Sequence, residues 1–232
     1  MTPYSDTAIE RPGAQRWVPE GADLGTLRAA APACRGCELW EPAAQVVFSA
    51  GDPKAEVALV GDQPGQVEDQ RGIPFVGPAG RLLQRAVDEA GLVRHQIYAT
   101  NAVKHFRFVS RGSRRVHTAP DPAHVAACLP WLTAELREVD PRIIVLLGTT
   151  AAKALLGAHF RTSLHRGQLI TADTGYGPRQ FVPSVHPASV LLVPDADRPA
   201  AYQALVADLR VAARALADDL ARSAGPAPVV VS

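Results

Sequence analysis

Apolar and polar residues follow two rhythms along this chain. Residues 57–61 form a short apolar run that stops at glycine, the mark of a buried strand. Over 79–91 the apolar positions Leu82, Leu83, Ala86, Val87 and Ala90 recur three and four apart, which predicts a helix with one buried face and a stop at Gly91. A second strand is expected over 97–103, then a helix over 121–138 begun by Asp121 with Pro122 in its first turn. Residues 143–147 are an unbroken run of Ile, Val and Leu between Pro141 and Gly148, as in a central strand. Thr149 is expected to cap a helix over 150–156 that ends at Gly157. Strands over 168–172 and 180–185 and a long Ala/Leu-rich helix over 197–222 complete the pattern. Strand–helix alternation of this kind predicts an α/β fold, with a largely parallel sheet covered by helices on both faces. Ligands of such folds sit beyond the carboxyl ends of the strands. Residues 1–24 and 223–232, rich in Pro, Gly or polar groups, are expected to lack fixed structure, leaving a single domain over 25–222.

Composition narrows the class of partner. The chain has 232 residues, of which 47% are apolar, and a net charge of +1, so the molecule as a whole exerts no strong pull on nucleic acid or membrane. No apolar run reaches the roughly 20 residues of a membrane helix, and the N-terminus lacks the basic and apolar regions of a secretion signal. Three cysteines, an odd number, argue against a disulfide framework and for a cytosolic setting. One stretch breaks the balance. Residues 104–117, KHFRFVSRGSRRVH, carry Lys104, Arg107, Arg111, Arg114 and Arg115, a histidine near each end and no carboxylate.

Four loops near strand ends could carry chemistry. Gly61-Asp62-Gln63-Pro64-Gly65 follows a buried strand, and its glycines let backbone approach a flat ligand; it lacks the Lys and Ser/Thr of a phosphate loop. Phe75 stands among glycines and prolines, where an aromatic ring has little core to fill and could stack on a planar group. Asn101 ends a strand and offers a donor and an acceptor together. His186, fixed by Pro187, could act on a developing anion. Each alone is compatible with an ordinary turn or cap; four at one sheet edge point to a site.

Cys34 and Cys37 form a C-x-x-C pair, and Cys128 adds a third soft ligand. His105 is the natural fourth. This set suits an iron–sulfur cluster or zinc, and the residue types alone do not separate the two.

Taken in order, GDQPG (61–65), GIPFVGPAGRLL (72–83), TNAVKHF (100–106), LLGTTAAKALLG (146–157) and SVHPASVLL (184–192) resemble the motif series of iron–sulfur uracil-DNA glycosylases, from about Cys34 to Leu209. His105 in place of a cysteine, and the basic segment 113–117 ending in His117, resemble the UdgX branch. The resemblance implies a three-layer α/β/α sandwich with a [4Fe-4S] cluster on Cys34, Cys37, His105 and Cys128, zinc being the lesser alternative. It also implies a pocket for a flipped-out uracil: Phe75 stacks, Asn101 reads the polar edge, Gln63 and the Gly65 backbone line the wall, and His186 stabilises the leaving base. Lys104, Arg107, Arg111, Arg114 and Arg115 would hold the phosphates of DNA, single-stranded by preference. His117, kept neutral by neighbouring Arg charges, would attack the sugar C1′ and stay joined to it, with Asp62 orienting the nucleophile or a water. Implied as well are a monomer and a bacterial cytoplasmic protein that joins the nucleoid when bound to DNA. A turnover glycosylase and a non-catalytic binder of uracil-containing DNA remain the alternatives. Two positions depart from the pattern. Asp62 stands where Glu is usual, and Leu192 stands near a usual Arg, where it could serve as an apolar wedge.

Overall fold

The computed structural model describes residues 11–173 and 177–223. In chain order the elements are α1 (Leu24–Ala30), β1 (Ser49–Gly51), β2 (Val57–Gly61), α2 (Gln66–Arg71), α3 (Pro78–Ala90), β3 (Ile97–Asn101), β4 (Phe108–Arg111), β5 (Arg114–His117), α4 (Pro122–Val139), β6 (Ile143–Leu147), α5 (Thr149–Leu156), α6 (Thr162–His165), β7 (Ile170–Asp173), β8 (Pro178–Ser184), α7 (Pro187–Leu192) and α8 (Arg198–Ser223). Six strands form one sheet in the order β1-β3-β2-β6-β8-β7. The four inner strands run parallel, and β1 and β7 close the edges antiparallel. With helices on both faces, this is the α/β/α sandwich.

Strand alternation sorts the core into two layers. Val57, Leu59, Ile143, Val145 and Leu147 pack with α3 and α8, while Ala58, Val60, Ile144 and Leu146 pack with α4 and α5. All nine are at most 2% exposed, so both faces of β2 and β6 are dry. That explains why these strands read as continuous apolar runs. The carboxyl ends of β2, β3, β6 and β8 therefore meet on one edge, where their loops gather.

Asp121 caps α4 as expected, accepting from the amides of Ala123 and His124. Several expectations change. Gly148, at φ +106°, is the cap of α5 and Thr149 its first residue. The strand expected over 97–103 leaves the sheet after Asn101, because the amides of Ala102 and Val103 turn to the carbonyls of Gly61 and Asp62. The basic segment is a hairpin rather than a loop: β4 and β5 pair from Phe108↔His117 to Arg111↔Arg114 around Gly112, whose φ of +60° suits the first position of a two-residue turn.

Residues 11–23, expected to be unstructured, are fastened to the body. The Gly13 amide donates to the Gly36 carbonyl and the Ala14 amide to that of Ala127, and Arg11 bridges Glu38 and Asp121. The Arg11 guanidinium, aided by His124, holds the Glu38 carboxyl down at about 2. Proline and glycine content suggested disorder, but long-range contacts override it. Residues 1–10 and 224–232, the rest of the two expected tails, lie outside the described residues; Ser223 closes α8. No helix among the described residues is long and apolar enough to cross a membrane.

Candidate active site

The carboxyl ends of β2 and β3 form the floor of the candidate recess. Gly61 is in register with Asn101. A Cβ on Gly61 would stand 2.4 Å from Asn101 Oδ1 and 2.7 Å from Phe75 Cζ, so the missing side chain is what lets amide and ring come together over this position. Asn101 is 2% exposed, and its Oδ1 is buried with no partner. A buried lone acceptor is costly, which points to a donor supplied by a ligand. Phe75 takes φ +56°, a conformation that costs a non-glycine residue about 1–2 kcal/mol. Gly80 allows it, because a Cβ there would sit 1.8 Å from the Phe75 carbonyl oxygen. Buried Glu68 secures the loop by accepting the Gly77 amide at 2.7 Å, and its carboxylate also lies against Gly65.

The hairpin stands beside this recess. Its alternation turns Phe108, Ser110, Arg115 and His117 to one face and Val109, Arg111, Arg114 and Val116 to the other. On the first face Arg115 stacks over Phe108 at 4.5 Å and pairs with the buried Asp69 at 3.0 Å, while the His117 ring packs against Phe106 at 5.9 Å. Asp69 in turn accepts the Ala44 amide.

Gln63 joins recess and hairpin. Its Oε1 accepts the Arg107 amide at 3.1 Å, which fixes the orientation of the side-chain amide. Its Nε2 therefore donates, to the carbonyls of Arg107 and Thr118 and to His117 Nε2 at 2.9 Å. The lone pair of His117 is thus on Nε2 and the proton on Nδ1. Burial lowers the His117 pKa, against an opposing pull from Asp62. The cause is desolvation rather than the neighbouring Arg charges expected from sequence. His186 caps α7, its Nδ1 accepting the Ala188 amide at 3.1 Å, so its proton is on Nε2. Burial lowers its pKa to about 4, and the ring is neutral at physiological pH.

The Asp62 carboxylate turns to the start of α5, where it accepts the Ala151 amide at 2.9 Å, and a Cβ on Gly148 would lie 2.8 Å from it. Burial raises its pKa to about 6, against hydrogen bonds from Ala151 and Thr150 and the nearby His117. It shares no hydrogen bond with His117. The shorter side chain is spent on the helix cap, and what reaches the imidazole is its charge.

Cys34, Cys37, His105 and Cys128 line one small cavity together with Ala14, Gly36 and Lys104. Cys34 Sγ accepts the Gly36 amide at 3.4 Å and Cys128 Sγ the Lys104 amide at 3.3 Å, as thiolates bound to metal do. Burial, the largest cause, pushes the Cys37 and Cys128 thiols up to about 11 and about 12, and burial with the Arg35 charge lowers His105 to about 4, leaving a neutral ring nitrogen. Among the described residues no three such donors converge tightly enough to grip a single ion.

The expected DNA-contacting residues divide. Arg111 and Arg114 are exposed on the outer face of the hairpin. Arg115 is a strut to Asp69, and Arg107 is drawn to the Ala119 carbonyl and Asp121. Lys104 cannot touch a phosphate at all: it is 1% exposed and ion-paired with the buried Glu135. Gln63, expected as pocket wall, commits its amide to the hairpin. The Gly65 backbone remains beside Glu68 at the recess. Glu68 and Asp69 were not singled out from sequence; their signal was an acidic pair three and four residues beyond Gly65 of the Gln-Pro-Gly turn, on a helix too short to register.

The family model of the uracil DNA glycosylase superfamily matches residues 48–210. A type-4 uracil-DNA glycosylase of Sulfurisphaera tokodaii is 34% identical over 168 residues, covering 70% of this chain and 73% of the relative. One of Archaeoglobus fulgidus is 34% identical over 165 residues, with 69% and 79% covered. One of Thermotoga maritima is 33% identical over 159 residues, with 68% and 78% covered.

The bracing by Gln63 generates a prediction. In Gln63→Ala, amide hydrogen exchange across 107–118 should quicken by about tenfold or more, because the hydrogen bonds closing the hairpin base are lost. Exchange in β2 and β6 should not change. Unaltered protection of the hairpin, read by mass spectrometry, would remove Gln63 from this role.

Proposed function

The chain belongs to the uracil-DNA glycosylase superfamily, and from that membership we propose that it excises uracil from DNA, single strands by preference, and that His117 then bonds to C1′ of the abasic sugar. One observation carries the reading: the His117 imidazole is braced by Gln63, two residues from the glycine that floors the recess. A nucleophile held by the pocket's own first loop needs little reorganisation to meet the carbon that carries the base.

In this mechanism a flipped uracil enters over Gly61, stacks on Phe75 and gives its N3–H to Asn101 Oδ1. A base without that proton leaves the acceptor unmet, which is a strong basis for rejection. As the C1′–N1 bond breaks, its electron pair stays with uracil, and the Nε2–H of neutral His186 donates to the oxygen where charge grows. The ionised Asp62 stabilises the positive sugar. The Nε2 lone pair of His117 closes on C1′, exchanging the hydrogen bond from Gln63 for a C–N bond, and the Nδ1 proton passes to solvent. The product is a substituted imidazole, a poor leaving group, so each molecule acts once. Arg111 and Arg114 hold phosphates, and Leu192, 84% exposed on the helix that His186 caps, is the apolar wedge against neighbouring bases.

Cys34, Cys37, His105 and Cys128 would hold a [4Fe-4S] cluster, whose contribution is structural. Three buried sulfur donors and a neutral imidazole nitrogen around one cavity are a donor set that fits such a group.

Three outcomes are expected. Incubation with single-stranded DNA bearing one uracil should give a species that survives SDS and heat, with about one uracil released per protein. His117→Ala should lose that species while keeping the fold; its persistence would refute the nucleophile, and many uracils per wild-type molecule would favour turnover. Uracil release should fall as pH drops through about 6, where Asp62 gains a proton and loses its charge. Asp62→Asn should lower the plateau and abolish that limb; if the limb survives, the titrating group is another. Finally, purified protein should contain about four irons and four sulfides and absorb near 400 nm, a band that Cys128→Ser weakens. Zinc in their place would overturn the cluster.

A further inference from the structure

Lys104 is the most deeply buried cation among the described residues, and the chemistry above does not use it. Its Nζ pairs with Glu135 and donates to Thr100 Oγ1 at 2.6 Å and to the Asn101 carbonyl at 2.9 Å. Glu135 is 0% exposed and is further held by the Tyr98 hydroxyl, at 2.8 Å, and by Thr100 Oγ1, at 2.8 Å. A buried ion pair gives little net stability over a well-packed apolar pair. What this one does is directional. Asn101 is the last residue of β3, and beyond it the chain turns away. Register with Gly61 holds the residue on one side, and Lys104 holds its carbonyl from below. The unpartnered Oδ1 is thereby fixed over the recess.

We propose that Lys104, oriented by Glu135, is a positioning residue for base discrimination, setting the Asn101 backbone so that its side-chain oxygen meets the incoming N3–H. The inference rests on the reading of the recess as a uracil pocket. It assigns Lys104 a task inside the protein rather than at the DNA backbone. The same residue carries the link further. Its amide donates to Cys128 Sγ, its carbonyl accepts the Val47 amide at 2.8 Å, and His105 follows it. The wall of the cysteine cavity and the base-reading group are thus fastened to one residue.

The test compares wild type, Lys104→Met and the double variant Lys104→Met/Glu135→Gln, which removes both charges and leaves partners for Tyr98 and Thr100. Each binds a single-stranded oligonucleotide carrying one 2′-fluorinated deoxyuridine, which resists cleavage, or the same strand with the matching cytidine. Thermal midpoint and absorbance near 400 nm are recorded alongside. Wild type should prefer the uracil strand. Both variants should lose roughly tenfold of that preference, the size of one charge-assisted hydrogen bond, while affinity for the cytidine strand holds. The double variant should regain the midpoint lost in Lys104→Met without regaining the preference. If preference returns together with the midpoint, or never falls, Lys104 is structural and the inference fails. If wild type shows no preference, the uracil reading itself falls and takes the inference with it.

Discussion

A single side-chain amide holds together two parts of this molecule that the sheet does not join. Gln63 leaves the carboxyl end of β2 and contacts both strands of the hairpin at its base, with its oxygen on one amide and its nitrogen on two carbonyls and an imidazole. The Arg107 amide dictates which end of the group is oxygen, so the nitrogen faces His117 as a donor and the lone pair of the imidazole is assigned to Nε2. Without the contact the hairpin would still be held by the Arg115–Asp69 and Arg107–Asp121 pairs and by the Phe106 and Phe108 rings. Position and tautomer of the candidate nucleophile thus share one origin.

The basic segment shows how little a count of charges says about their use. Five cations in fourteen residues read as one DNA-binding patch, yet one is sealed in the core, two are spent on Asp69 and Asp121, and two reach outward. The division follows from geometry. Period-two alternation puts Arg115 on the body side and Arg111 and Arg114 on the other, and Lys104 lies where the chain is still passing through the core.

Much of the architecture was legible in sequence because the strong signals coincide with strong burial. The runs at 57–61 and 143–147 and the periodic positions of 79–91 lie in the driest layers, where hydrophobicity alone decides. The candidate site could be read only as residue types: Phe75, Asn101 and His186 in loops near strand ends, His117 at the end of the basic segment, and three cysteines that the fold brings to one cavity with His105. What could not be read was the assignment of side chains to partners. The turn of Asp62 toward α5, the service of Gln63 to the hairpin and the burial of Lys104 beside Glu135 each depend on a residue 31 to 89 positions away. Short elements such as α2, α7 and β1 carried too few residues for periodicity to show, and the packing of residues 11–23 is set by distant carbonyls rather than by local propensity.

Ala14 brings the segment 11–18 against the cysteine cavity. Ala14 lines that cavity, its amide is fixed to Ala127, and Gly36 beneath it has no room for a side chain, since a Cβ would come within 2.8 Å of the Ala14 nitrogen. Any group held in this cavity would therefore lie beneath backbone that has to part before the group can leave, so its retention would depend on how firmly this stretch is fastened as well as on its ligands.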